Sequence, residues 1–326
     1  MKRERSGNER GSIMRREKKR KQEEAFALRL KKDFIRYRYI YLMLLPVVIY
    51  YAVFCYGPMS KIVIAFQNFK PALGISGSKW VGMKYFIDFF TGPYAWRLIR
   101  NTLLLNILQI ILAFPVPIIL ALLINEIQCR PYKKLVQTVS YMPHFISLVV
   151  MCSLLLTFSR SDGIFNDFLA LFGVERSNLM ANAKLFRPMY VLSGIWQEAG
   201  WGSIIYLATL STIDPGLYEA ATIDGASRFQ RMLYVSFPGL VPIIIVQLIM
   251  RVGNILTMGF EKVFLLYNPL TYDTADIIST YIYRQGLELT NYSYGTAVGL
   301  FNSAVNLLIL VLANRLSRKA TGESLW

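Results

Sequence analysis

Six stretches of about 20 residues, nearly free of charge, constrain this chain more than any other feature. They cover roughly 39–58, 101–125, 139–158, 188–211, 239–258 and 295–314, and their only formal charges are Glu198 in the fourth and Arg251 in the fifth. A helix of about 20 predominantly apolar residues crosses a hydrocarbon core about 30 Å thick. Burying six such helices in the core of a soluble domain is physically implausible. The pattern predicts an all-α polytopic membrane protein with six transmembrane helices.

The net charge of +16 on 326 residues would suit a nucleic-acid surface if it were spread over a polar fold. It is not spread. Residues 1–38 hold 15 Lys+Arg against 6 Asp+Glu. We therefore divide the chain into a basic cytoplasmic tail, 1–38, and a transmembrane domain, 39–326, with no role for nucleic acid. The segment before the first run is too long and too mixed in sign for a signal-peptide n-region, so that run is expected to stay as a span. Tyr39, Tyr41, Tyr50, Tyr51 and Tyr56 sit toward its ends, as interfacial aromatic residues do. An even number of spans puts both termini on one side. The loops carry basic residues on both sides, so the tail decides and both termini are expected in the cytoplasm. Within the tail, 15–38 reads equally as an amphipathic helix on the inner leaflet or as a solvated charge run. One histidine (His144) and three cysteines (Cys55, Cys129, Cys152) supply no metal site of the usual ligand number, and the cysteines read as small apolar fillers.

The segment between the fourth and fifth runs has a different character. Asp214 can cap a helix beginning at Pro215, and Gly225 can supply the positive-φ residue that ends it. Ser227 can cap a second helix, with Pro238 at the entry to the next span. A compact helix-turn-helix at the membrane surface follows, and its alanines leave room for a partner to come close.

Within this loop Glu219-Ala220-Ala221, Asp224-Gly225-Ala226 and Val235-Ser236-Phe237-Pro238 keep fixed spacings. They resemble the EAA loop of inner-membrane permease subunits of binding-protein-dependent ABC importers, whose pattern is EAA, three residues, G, nine residues and I-x-L-P. Val235 and Phe237 are the only departures, and both stay apolar. Segments such as FPVPIILALLINE, VQTVSYMPHFIS and ADIISTYIYRQG extend the likeness to a MetI-like transmembrane domain over about 37–326. They are most similar to the carbohydrate-uptake branch, in its polygalacturonan, rhamnogalacturonan and lipoprotein-linked sugar permease subgroup. The resemblance implies a multi-pass subunit of a bacterial plasma membrane, with the EAA coupling helix in the cytoplasm between helices 4 and 5. Its implied partners are a second homologous permease, a cytoplasmic ABC ATPase dimer, an extracellular solute-binding lipoprotein and an oligosaccharide. There is no GxxxxGK[ST], so the chain is expected to bind no cofactor and to leave ATP and Mg to the ATPase. It is a transport subunit in this reading, not an enzyme. The coupling residues are Glu219, Ala220, Ala221, Asp224, Gly225, Ala226 and Pro238.

Charges inside a membrane are costly and mark functional candidates. Arg251 and Glu198 lie at similar expected depths and can either pair or line the substrate path. An acidic, pectin-derived oligosaccharide would present a carboxylate to Arg251, with Trp196, Gln197, Trp201, Gln247 and Asn254 offering stacking faces and hydrogen bonds. The EAA loop carries no substrate information, so a permease for another solute class stays open. A secondary transporter needs several intramembrane carboxylates or an internal repeat, and only Glu198 is present. A scaffold that uses the same loop without moving solute is the remaining reading.

Overall fold

A computed structural model describes residues 36–257 and 259–322. The expected basic tail, read as a surface helix or a solvated charge run, lies outside them apart from its last three residues. The helices used below are α1 (Arg38–Phe66), α2 (Ala95–Asn125), α3 (Arg130–Phe145), α4 (Leu148–Phe158), α5 (Ala183–Leu210), α6 (Pro215–Ile223), α7 (Arg228–Gly253), α8 (Phe260–Leu266) and α9 (Tyr292–Thr321). One small ladder departs from an all-helical chain: β1 (Gln67–Asn68) pairs antiparallel with β2 (Lys79–Trp80), Gln67 opposite Trp80.

Among the described residues four helices, α1, α2, α7 and α9, are long and apolar enough to cross a membrane. The other two runs differ from the simple expectation. The run over 139–158 is not one helix, because α3 and α4 meet at a bend of 91°. Pro143 has no N–H to continue the ladder, Ile146 turns extended at ψ 126°, and the Ser147 hydroxyl restarts the helix by accepting from the Val150 N–H at 3.3 Å. The carbonyl freed at Ile146 accepts from Gln197 Nε2 on α5 at 3.0 Å. A neighbouring side chain that satisfies freed backbone is what makes such breaks tolerable inside a helical bundle. The run over 188–211 lies within α5 apart from Ser211, its C-cap, and the 28 residues of that helix are long enough to cross. It is not among those four, since Ser193, Gln197, Glu198 and Ser203 lower its hydropathy.

The chain divides after Ile62. Among the described residues the first unit is α1 as far as that residue, with apolar side chains exposed from Tyr39 to Phe54, as a lipid-facing helix requires. The second unit is built on three buried clusters. Leu98, Ile278 and Val298 join α2 to α9; Phe186, Val191, Val263 and Ile277 join α5 to α8; Ala121, Tyr206 and Leu240 join α2, α5 and α7.

A polar knot fastens the starts of α2 and α5 to the segment before α9. The Asp276 carboxylate is fully buried and takes Arg284 Nη2 at 2.6 Å, Arg97 Nη2 at 3.7 Å and the Thr280 hydroxyl at 2.9 Å. Asn101 Nδ2 donates to the Asp273 and Asp276 carbonyls at 3.0 and 3.1 Å, while Arg187 Nη2 donates to Asn101 Oδ1 at 2.9 Å. Buried charge is tolerated when it is paired and hydrogen-bonded.

Candidate functional site

Local rules build the first part of the site. Asp214 Oδ1 accepts from the Gly216 N–H at 2.9 Å, and Pro215 opens α6, where its missing N–H costs nothing. α6 stops at Gly225, which stands at φ 79°, a conformation that costs a side-chain-bearing residue about 1–2 kcal/mol. Ser227 then caps α7 in a two-way exchange with Gln230, at 3.3 and 2.8 Å. The second helix of the expected helix-turn-helix is not separate. It runs through a π turn at Met232–Ser236 into α7, and Pro238 lies in the first turn after that bulge. Such bulges absorb the missing donor of a proline.

α6 is fastened to the base of α7 and bare elsewhere. The Tyr218 hydroxyl meets Ser236 Oγ at 2.9 Å, Arg231 donates to the Thr222 hydroxyl, and Ile213 packs so close to Gly239 that a Cβ there would lie 2.5 Å from its Cδ1. Glu219, Ala220, Asp224 and Gly225 are exposed, with Ala221 and Ala226 half-buried. Leu217, Ile223 and Phe229 are exposed beside them, Ile223 at 86%.

The second part is a cavity of about 340 Å³ between α2, α5, α7 and α8. Its size falls in the range of small-ligand pockets. On α2, Pro115 and Pro117 cannot donate, and the preceding turn widens so that the Phe114 N–H reaches the Gln109 carbonyl at 3.0 Å. That π turn carries Gln109, whose side chain lines the cavity. Arg251 enters from α7, stands 5.6 Å from the Phe114 ring, and also lines an adjoining cavity of about 210 Å³ with Tyr206 and Gln247.

Arg251 and Glu198 both line the larger cavity, but they form no ion pair within 4.0 Å. Glu198 Oε2 lies 3.1 Å from His144 Nδ1, and His144 stacks on Trp201 with ring centroids 4.4 Å apart. Gln197 reaches the cavity with its amide N–H already given to Ile146. Trp196 is half exposed and lines neither of the two cavities, and Asn254 bonds to the Met250 carbonyl at 3.0 Å at the exposed end of α7.

Lys262 falls between the fifth and sixth apolar runs, 239–258 and 295–314, and is not among the residues the sequence singles out. α8 folds back against α5, starting from Gly259 at φ 89°, where a Cβ would lie 2.3 Å from the Tyr190 hydroxyl. Lys262 is 8% exposed, donates from Nζ to the Tyr190 carbonyl at 2.7 Å, and lines the same cavity. Val263 and Leu266, buried one and four residues later, are the signal that this short segment packs inward. The cavity thus carries two cations, the Gln109 amide and a Glu198 carboxylate held by His144, a lining able to hold an anionic, hydroxyl-rich guest beside its cations.

The sequence matches the family of binding-protein-dependent transport system inner membrane components over residues 89–322. It is 47% identical over 299 residues to the polygalacturonan/rhamnogalacturonan transport system permease protein YteP of Bacillus subtilis, covering 91% of this chain and 93% of that one. Protein LplB of the same organism is 44% identical, with 91% and 92% covered. The fold is similar to a chain of a bacterial alginate ABC transporter solved with an alginate pentasaccharide-bound periplasmic protein, at TM-score 0.83 and 43% identity, covering 90% and 99%. By sequence over most of its length, and by fold, the chain belongs to the binding-protein-dependent transport system inner membrane components.

Proposed function

We propose that this chain is the membrane-spanning permease subunit of an ATP-driven importer that brings acidic oligosaccharides into the cytoplasm. It is a transport component and not an enzyme. The observation that carries the substrate class is the cavity of about 340 Å³ lined by Arg251 and Lys262, neither within 4.0 Å of a carboxylate. Its likeness to permeases named for polygalacturonan, rhamnogalacturonan and alginate transport supports the same class.

In this reading six spans cross the membrane: α1, α2, the broken pair α3 and α4, α5, α7 and α9. Both termini and α6 face the cytoplasm. A second permease completes the pathway, an extracellular solute-binding protein delivers the sugar, and a separate ATPase dimer supplies the drive. α6 docks on that ATPase through Glu219, Ala220, Ala221 and the exposed Leu217 and Ile223. Its bonds to Ser236 and Arg231 pass movement into α7, which carries Arg251.

Uptake of radiolabelled trigalacturonate by proteoliposomes holding the assembled importer tests the whole reading. ATP-dependent uptake that disappears without the ATPase is expected. Uptake driven by a proton or sodium gradient alone overturns it. Gly225→Val tests the coupling role: assembly stays intact, while uptake and ATPase stimulation fall at least tenfold, and normal uptake would remove α6 from the mechanism.

A further inference from the structure

We infer that Lys262 is a specificity-determining cation of the translocation path and presents two N–H donors to a carboxylate of the passing sugar. This deepens the acidic-oligosaccharide reading above and rests on it. An ammonium has three donors. Lys262 gives one to the Tyr190 carbonyl at 2.7 Å and stands 4.6 Å from the centre of the Tyr190 ring. Among the described residues no other acceptor takes its remaining protons and no carboxylate lies within 4.0 Å.

A lysine this deeply buried is ordinarily paired, because desolvated charge is expensive. Here the unused donors open onto the cavity. Gly194 keeps that approach clear: a Cβ there would lie 3.0 Å from Lys262 Nζ and 3.4 Å from Gln109 Nε2. The bare backbone leaves the ammonium and the Gln109 amide side by side on one wall, with Arg251 lining the same cavity. The Tyr190 carbonyl fixes the position of the charge without neutralising it. A carboxylate arriving between these groups would complete the ammonium's hydrogen bonds, which a neutral sugar cannot do with charge-assisted strength.

The test uses the complete importer in proteoliposomes, with trigalacturonate and its fully methyl-esterified form as paired substrates, since esterification removes charge and keeps the ring. Lys262→Met and Lys262→Gln should lower the charged-to-ester uptake ratio about tenfold, the size expected for one charge-assisted contact, and Lys262→Arg should hold it within about threefold. Equal losses on both substrates, or a ratio unmoved in every variant that assembles, overturns the inference and leaves Lys262 a structural tie between α8 and α5. If Lys262→Met does not assemble, the Gln and Arg variants decide by the same ratio. A wild-type importer that moves neither substrate is a different failure, in which the acidic-sugar reading falls and takes this inference with it.

Discussion

Two groups of half-buried or buried cations in one helical body are treated in opposite ways. At the Asp276 knot, Arg97 and Arg284 converge on one carboxylate that is fully buried, and Thr280 adds a hydroxyl. At the cavity, Arg251 has an aromatic face and Lys262 a backbone carbonyl, and neither has a carboxylate within 4.0 Å, Glu198 on the same lining being turned to His144. Matched charge holds segments together, because removing one partner strands the other. Unmatched charge in a cavity contributes little to the fold and leaves its attraction for something that comes and goes.

The largest effect should come from unmatching the knot. Asp276→Asn strands the Arg284 guanidinium and leaves Arg97 only the exposed Asp273 at 3.4 Å, and loss of one partner from a buried pair costs about 3–5 kcal/mol. Thermal unfolding of the purified importer in detergent should show a large fall in midpoint. A midpoint within a degree or two of wild type would mean that the knot is better hydrated than its burial implies, and the contrast with the cavity would collapse.

Arg251→Gln should do the reverse. Deleting a cation that lacks an acid partner should leave the unfolding midpoint nearly unchanged. Discrimination for trigalacturonate over its methyl ester should drop about tenfold, equivalent to about 1.4 kcal/mol. Equal loss of both substrates would place Arg251 in packing against Phe114 and remove the carboxylate role.

The same contrast explains how much of the molecule was legible in its sequence. The α6 loop could be read in detail because capping and positive φ are local: Asp214, Pro215, Gly225 and Ser227 each occupy the position that their own chemistry favours. Glu219 and Ala220 are exposed on that short helix and Ala221 is half-buried beside them. The cavity depends on what lies across from each helix, and there sequence proximity misled. Trp196 and Gln197 are neighbours in sequence but about 100° apart around a helix, so one turns outward while the other points to the break between α3 and α4. Asn254 follows Arg251 by one turn, yet it falls where α7 is ending and bonds back to its own backbone. Of the two roles open to Arg251, pairing with Glu198 is not formed: Glu198 faces His144 at 3.1 Å, beside the bend between α3 and α4. Lys262 was hidden by a turn at Gly259 that reverses the chain onto α5 and by a helix too short to show a period.

The smallest expected effect lies between the two extremes, at a carboxylate matched by a single backbone N–H. Asp214 caps α6 through Gly216 and has no ion pair of its own among the described residues. Loss of such a cap costs about 1 kcal/mol. Asp214→Ala should therefore leave the importer assembled, with an unfolding midpoint close to wild type, and should act on the start of α6 alone. If α6 transmits force as a rigid piece, fraying its first turn should weaken the stimulation of ATPase activity by loaded binding protein a few-fold. Asp214→Asn keeps the accepting oxygen and loses the charge, so it should restore most of that stimulation. Failure of Asn to rescue would mean that the negative charge itself is read by the ATPase, and the residue would then belong with the unmatched charges of the cavity.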